Sequence, residues 1–364
     1  MNFDTALGLF RSERISELGA DPVGRRFLKL RSLSRKQYIE RLFREVHLVP
    51  RKSRAQEMFR EAFESHITEE RIEKVIRTID AEQRRNRIEN RTNLINELYK
   101  LDSFNWGGLH QNNLERTIVD KYVKRIWRYE DLTQKIEGDI HDSLRGYVLC
   151  SWYNHWTSIL IEDIFRSHAV VLPAIGQVKK IDFFVGQTPF DLKVTYMPEG
   201  FLAEKRKADS LRPELTLLKR EARDRRIGFD KDLPSARLLE DLWNKIEDSP
   251  DEVSKQLIAD LRGYRENLVG LVEQNPDELI TWLYENQGSR RFDASNRLFL
   301  ILVDPRDYFA SWKLKRAFPL LESRINNYLD GIKENVDREI FFDWDGRQYR
   351  ALSDMILVRR METY

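Results

Sequence analysis

The stretch Val178–Gly200 reads "VKKIDFFVGQTPFDLKVTYMPEG" and predicts two strands joined by a turn. The segments "VKKIDFFV" and "FDLKVTYM" are rich in β-branched and aromatic residues, and "GQTP" between them holds residues typical of turns. Side chains alternate between the two faces of a strand, so the second strand has an apolar face and a polar face. The apolar face is expected to hold Phe190, Leu192, Val194 and Tyr196, and the polar face Asp191, Lys193 and Thr195.

Two acids are expected to meet at one end of this hairpin. If the strands pair through the short turn, Asp182 on the first approaches Asp191 on the second. Two carboxylates that converge repel each other unless a cation lies between them, and a few oxygen ligands with room for water and phosphate suit Mg²⁺. The carbonyl of Leu192 is a candidate third ligand. Lys193 is placed to position or help deprotonate an attacking water and to offset phosphate charge.

A further acid lies on the helix that precedes the strands. Residues 144–166 predict a mostly buried helix, and "WTSILIEDIF" places Glu162 among apolar residues. If this helix packs on the sheet, Glu162 is expected to face the same point as the two aspartates. It would there hold a second metal, bind water or orient Lys193.

The rest of the chain predicts an α/β (α+β) fold around this hairpin. Residues 1–140 have helical periodicity, residues 201–295 predict a charged helical insertion, and residues 296–304 form a continuous apolar run typical of a strand buried on both faces. A helix follows, and "EIFFDWDGRQYRAL" predicts a terminal hairpin that turns at Asp345-Gly346. We therefore expect a helical region 1–140 and a core 141–364 with a helical insertion at about 201–295.

Composition limits the class of protein. The chain has 364 residues, of which 41% are hydrophobic and 34% charged, and its net charge is +2. The single cysteine, Cys150, excludes an internal disulfide and a cysteine-based zinc site. No apolar run reaches membrane-spanning length and the first residues lack a signal layout, so a cytoplasmic protein without a membrane partner is expected. No phosphate-binding loop is present, and no nucleotide cofactor is expected.

The acid-x-lysine triplet by itself carries little weight. This composition predicts about three such triplets by chance, and the sequence contains one, Asp191-Leu192-Lys193. An exposed strand with a surface ion pair is therefore the alternative interpretation. The triplet gains meaning from its position in a strand, after a strand with Asp182 and a helix with Glu162.

A helix with Glu, a strand ending in Asp and a strand with acid-x-Lys resemble the PD-(D/E)xK nuclease superfamily, and most of all its type II restriction endonucleases. By position, Asp182 and Asp191 match the two motif acids, Lys193 the motif lysine and Glu162 the acid of the first core helix. The sequence departs from the family name in having Ile181 where it has proline, and the second acid is Asp where Glu is frequent. The resemblance covers about residues 144–200, and the strand 296–304 fits it.

The resemblance implies a restriction-endonuclease-like mixed sheet flanked by helices. It also implies one or two Mg²⁺ ions per site, a double-stranded DNA substrate and a homodimer. The alternatives are a nonspecific, repair or defence nuclease, or an inert DNA-binding protein with a nuclease-like core. Candidate DNA contacts are Lys180, Thr195, Arg290, Arg291 and Asn296.

The start of the chain is basic, with 14 Lys and Arg against 7 Asp and Glu in residues 1–60. The runs Arg25–Lys36 and Arg51–Arg54 predict either phosphate contacts or ordinary solvated faces. We expect residues 1–140 to embrace DNA or to dimerise.

Overall fold

The computed structural model describes residues 1–102, 118–176, 178, 180–286, 295–332 and 336–360. Over these residues the chain is a mixed α/β protein with one six-stranded sheet flanked by helices. The strands are β1 (Val171–Pro173), β2 (Phe183–Val185), β3 (Thr188–Tyr196), β4 (Arg297–Val303), β5 (Glu339–Trp344) and β6 (Arg347–Arg359).

The helices before the sheet are α1 (Phe3–Arg11), α2 (Ile15–Ala20), α3 (Pro22–Ser32), α4 (Lys36–Glu45), α5 (Ala55–Glu64), α6 (Glu69–Glu89), α7 (Arg91–Tyr99), α8 (Tyr129–Lys135) and α9 (His141–Ser167), with π-helical turns at Val119–Val123 and Ile136–Ile140. Those after β3 are α10 (Glu199–Ala208), α11 (Glu214–Asp224), α12 (Ser235–Glu247), α13 (Glu252–Gln274), α14 (Asp277–Asn286), a 3₁₀ helix (Tyr308–Arg316) and α15 (Phe318–Asp330).

The sheet has the strand order β1-β2-β3-β4-β6-β5. The strands β1, β2 and β3 form an antiparallel meander, β3, β4 and β6 are parallel, and β5 returns antiparallel to β6. Parallel neighbours need long crossovers, and helices α10 to α14 supply the one from β3 to β4. All residues of β4 are buried, as its continuous apolar sequence predicted.

The terminal hairpin turns where its sequence predicted. Asp345 and Gly346 have φ angles of 48° and 70°. A two-residue turn with both central residues at positive φ matches the twist of the flanking strands, and Asp-Gly tolerates it well. The turn fixes the register in which Trp344 pairs with Arg347.

Two predicted elements are shorter in the structure than in the sequence pattern. The strand expected over residues 178–185 begins only at Phe183, and Lys180 has a φ of 64°, which takes the backbone out of the extended conformation. The helix expected after β4 is divided into the 3₁₀ helix and α15, because Ala317 has a ψ of 63° and leaves the helical region between them.

The first helices share a core with the sheet. Phe27 and Leu42 of the N-terminal helices belong to the same buried cluster as Leu172 of β1 and Phe184 of β2. Their apolar stripes therefore cover one end of the sheet and do not form a separate domain. Helical periodicity shows that a helix has an apolar face, but it does not identify what covers that face.

The chain divides into two compact units, which differ from the division expected at residue 140. The first unit is Met1–Asp80 with Phe165–Tyr364, and the second is Ala81–Ile164. In the first unit, the insertion is helical as predicted, and α11, α12 and α13 bury a cluster that includes Leu218, Trp243 and Leu261. No helix in the described part of the chain has both the length and the apolar character needed to cross a bilayer.

Candidate active site

Asp182 immediately precedes β2, and Asp191 lies opposite it within β3. Phe183 pairs with Phe190 in the antiparallel register, so the two acids are the next residues outward on their strands. The amide N–H of Leu192 donates a 2.8 Å hydrogen bond to Oδ2 of Asp182, which places that carboxylate beside the backbone of β3. The structure thus brings both acids to one end of the hairpin.

The turn between the strands sets this register. Gly186 has a φ of 57°, a conformation that costs glycine little, and Val185 pairs with Thr188 directly across the turn. Since the turn type fixes the register of a hairpin, it also fixes which residues lie opposite each other at the far end. A shift of one residue would move Asp191 to the other face.

Lys193 holds the carboxylate of Asp191. Its Nζ lies 2.8 Å from each of the two Asp191 oxygens. The Asp191 side chain is 13% exposed, whereas that of Lys193 is 43% exposed. The ammonium group is therefore accessible from solvent while the carboxylate is mostly enclosed. The expected contrast between an apolar and a polar face is weak here, because residues 191–198 are all half-buried.

The carbonyl of Leu192 points to the same side as the Asp182 carboxylate. In a strand, the N–H and C=O of one residue face the same neighbour, and the Leu192 N–H is directed at Asp182. Two carboxylates and a carbonyl are hard oxygen donors of the kind Mg²⁺ prefers. In the described residues, no group of three or more His, Cys, Asp or Glu side chains is close enough to hold a metal.

Arg297 is a functional candidate that sequence reasoning missed. It is the parallel partner of Asp191 in the register between β3 and β4. Its Nε lies 3.9 Å from Oδ2 of Asp191, and its side chain is 9% exposed. An arginine that opens an otherwise apolar strand was the available signal, but only the strand order shows which residue it faces.

An aromatic side chain fixes the guanidinium of Arg297. The guanidinium carbon lies 4.9 Å from the ring centroid of Tyr284, and the Tyr284 hydroxyl donates a 2.9 Å hydrogen bond to the carbonyl of Ser295. Burial raises the pKa of Tyr284 above its ordinary value, so this hydroxyl remains a donor. The carbonyl of Arg297 accepts a 2.7 Å hydrogen bond from Ser353 Oγ.

Asn296 holds neighbouring strands together. It is buried, its Nδ2 donates to the Pro189 carbonyl at 3.2 Å, and its Oδ1 accepts from the Leu352 N–H at 2.9 Å. Both ends of the amide therefore bind the backbones of neighbouring strands, and its contact with a base stays a prediction. Arg290 and Arg291 lie outside the described residues.

Lys180 and Thr195 lie on either side of the aspartates along the chain. Lys180 Nζ is 2.7 Å from Oε2 of Glu13, so its charge is already paired with an acid between α1 and α2. Thr195 is half-buried on β3, on the face of Asp191 and Lys193. Neither position conflicts with a DNA contact.

Glu162 belongs to the second unit, where it is half-buried on α9. The helix was expected to be mostly buried, but only its C-terminal half is, and Leu144 and Val148 near its start are exposed. Asp163 beside Glu162 forms an ion pair with Arg87, with Nη2 3.0 Å from Oδ1. The role expected of Glu162 stays a prediction.

The two basic runs near the N-terminus differ in their surroundings. In Arg25–Lys36, Lys29 is fully buried and its Nζ donates to Glu69, Glu73 and Gln187 at 2.8, 2.7 and 2.7 Å. Arg26 donates to the Ile67 carbonyl at 2.7 Å. Part of this run therefore connects helices to the turn between β2 and β3. Residues 51–54 are exposed.

Comparisons of this chain with protein-family models, with curated proteins and with solved structures gave no match. The functional proposal therefore depends on the geometry of the chain itself.

Proposed function

We propose that this protein is a Mg²⁺-dependent endonuclease that hydrolyses phosphodiester bonds of double-stranded DNA, and that it cuts at a specific site as type II restriction endonucleases do. The observation that supports it is the meeting of Asp182, Asp191 and Lys193 at one end of the β2–β3 hairpin. A mostly enclosed carboxylate and a half-buried one, beside an accessible ammonium group, suit hydrolysis of an anionic ester.

The oxygen donors fit a hard divalent cation. The carboxylates of Asp182 and Asp191 would hold Mg²⁺, with the Leu192 carbonyl facing the same side. When bound, the ion supplies a Lewis acid and a water that loses its proton readily. The chain contributes the fixed spacing of the two acids, which the hairpin register determines.

Lys193 would act on the substrate. Its ammonium group is the exposed partner of the Asp191 pair, so it can turn to a phosphate oxygen or to the attacking water without unfolding the strand. A positive charge at that position stabilises the additional negative charge of the pentacovalent transition state. Until substrate arrives, the carboxylate of Asp191 would keep the ammonium group at the site.

The homodimer is also proposed. A palindromic DNA site matches the two-fold symmetry of a dimer, and each protomer would cut one strand. In support of a partner surface, the second unit has large exposed apolar side chains, of which Trp127 is 90% exposed and Tyr129 and Val123 are also exposed.

The experiment is digestion of plasmid DNA with Mg²⁺, repeated with EDTA, together with a measurement of the molar mass in solution. We expect discrete metal-dependent fragments, and sequencing of their ends gives the site. Lys193→Ala should keep DNA binding and lower the cleavage rate by about 100- to 1000-fold. Lys245→Ala is the matched control, because Lys245 is 41% exposed and also pairs with an aspartate, Asp241, at 2.8 Å.

Three outcomes would change the proposal. A smear in place of fragments identifies a nonspecific or repair nuclease. DNA binding without any cleavage identifies an inert nuclease-like core. Cleavage by Lys193→Ala at the wild-type rate removes the assignment of the site.

A further inference from the structure

Arg297 adds a fourth charge to the candidate site. It faces Asp191 across the parallel register, and its side chain is enclosed where that of Lys193 is accessible. Among the described residues, Asp191 thus has two cations near it, one accessible and one enclosed. The enclosed cation, Arg297, belongs to a different strand, β4, and its guanidinium lies over the ring of Tyr284.

The contact between Arg297 and Asp191 is electrostatic. Its buried Nε has no hydrogen-bond partner among the described residues, and 3.9 Å to Asp191 is too long for a hydrogen bond. Buried arginines usually satisfy their N–H groups, since an unmade hydrogen bond is costly. Arg297 therefore acts on Asp191 through its charge more than through a hydrogen bond.

Among the groups whose contacts the structure describes, the four charges of the site cancel. Asp182 and Asp191 contribute two negative charges, and Lys193 and Arg297 contribute two positive ones. The nearby Lys180 is paired with Glu13 and changes nothing in this sum. A divalent cation that approaches a balanced site meets less attraction than it would at two unpaired carboxylates.

We propose that Arg297 sets the metal affinity of this site: its fixed charge keeps divalent-cation binding weak until a phosphodiester is bound beside it. This inference rests on the metal site of the proposed function. A bound dication makes the site positive, and the phosphate then offsets that charge. Cation and phosphate consequently strengthen each other's binding by the same factor. Arg297 touches neither, so it is a positioning residue that acts through Asp191.

The test is a calorimetric titration of Ca²⁺ into the protein without DNA. Ca²⁺ is a hard dication that takes the same oxygen donors as Mg²⁺. Arg297→Met removes the charge and should bind Ca²⁺ about tenfold more tightly than the wild type. Arg297→Gln, which keeps hydrogen-bonding groups, should behave like Arg297→Met and provides the result if the methionine variant does not fold. Arg297→Lys keeps the charge and should bind like the wild type.

Arg206→Met is the matched control. Arg206 is also buried, and its guanidinium lies 4.8 Å from the ring centroid of Tyr264, but it belongs to the insertion. This variant should change the melting temperature and leave Ca²⁺ affinity unaltered. In a second arm, a short duplex of mixed sequence should tighten Ca²⁺ binding to the wild type by about tenfold or more.

Unchanged or weaker Ca²⁺ binding by the two uncharged variants would overturn the role of Arg297. Equal Ca²⁺ affinity of the wild type with and without the duplex would also overturn it. So would a result in which neither the wild type nor any variant binds Ca²⁺. The difference in Ca²⁺ affinity between variants is separable from failure of cleavage, because the first arm contains no DNA. Absence of Ca²⁺ binding would also remove the metal site of the proposed function. An inert core would show the predicted Ca²⁺ affinities without cleavage. An active nuclease whose variants all bind Ca²⁺ as the wild type does would reject only the role of Arg297.

Discussion

Two clusters of acids and cations flank β3, and they differ in how completely their charges are satisfied. Near the start of β3, Asp191 is held by the accessible Lys193 and lies beside Arg297, whose Nε has no hydrogen-bond partner in the described part of the chain. Just beyond its end, Arg265 of α13 is 5% exposed and pairs with Glu199 and Glu214.

In the second cluster, the charged groups are hydrogen-bonded to one another. Nε of Arg265 lies 3.1 and 3.2 Å from the oxygens of Glu214, and its terminal nitrogens lie 3.0 and 2.9 Å from those of Glu199. The rings of Trp243, Tyr308 and Phe309 surround the guanidinium. Burial lowers the pKa of Arg265, but the charges of Glu199 and Glu214 outweigh it and raise the pKa above the ordinary value.

The difference separates a cluster that stabilises the fold from one that is available to a ligand. A buried ion pair with all its hydrogen bonds made has nothing left to offer a substrate. A carboxylate whose cations are mobile or loosely placed can exchange them for a metal or a phosphate. Incomplete satisfaction, more than the number of charges, therefore distinguishes the Asp191 cluster, where we propose the active site, from the Arg265 cluster.

Asp191→Asn should have the largest effect on activity. The amide keeps the shape of the side chain and loses its negative charge, so both the metal ligand and the anchor of Lys193 are removed. We expect the cleavage rate to fall by about 100- to 1000-fold with a small change in the urea midpoint. Measured rates per folded molecule check this. A strongly destabilised variant would show that the Asp191 cluster stabilises the fold as the Arg265 cluster does.

Arg265→Met should have the largest effect on stability. Removing one partner of a buried pair leaves Glu214 charged and enclosed, which costs about 3 kcal/mol of unfolding free energy. Glu214→Gln should cost more than Glu199→Gln, because the Glu214 side chain is 5% exposed and that of Glu199 is 48% exposed. Urea unfolding measures all three. We expect the three variants to cleave at the wild-type rate per folded molecule. A loss of cleavage in Arg265→Met without a loss of stability would place Arg265 in the proposed active site.

Much of the hairpin could be predicted from the sequence because it depends on local rules. Strand alternation and the Gly186 turn place Asp191 and Lys193 on one face and bring Asp182 to the same end. The buried β4 and the Asp345-Gly346 turn follow from composition in the same way. The late start of β2 at Phe183 could not be predicted, because no local sequence pattern indicates the positive φ of Lys180.

The sequence did not show the contacts between residues that lie far apart along the chain. The pairing of Arg297 with Asp191 joins residues from two strands separated by the whole insertion, and no local pattern specifies it. The same holds for Lys29, whose charge suggested a surface and whose partners Glu73 and Gln187 lie far along the chain. Residue type predicts a preference for solvent, and tertiary partners can reverse it.

Tyr264→Phe should have the smallest effect, and it tests whether the polar groups of the insertion act on stability alone. The Tyr264 hydroxyl donates a 2.7 Å hydrogen bond to Oδ2 of Asp209, and burial followed by this bond raises the pKa of Tyr264 to about 12. A raised pKa means that the contribution to stability is present below about pH 10 and is lost as the pH rises through about 12. Wild type and variant should therefore differ by about 1 kcal/mol in unfolding free energy at neutral pH and converge above this range. Urea unfolding across that range, with the exposed Tyr129→Phe as control, measures the convergence. A difference in unfolding free energy that stays constant at every pH would show that the Tyr264 hydroxyl does not depend on the charge of Asp209. An altered cleavage rate would show that the insertion contributes to the proposed active site.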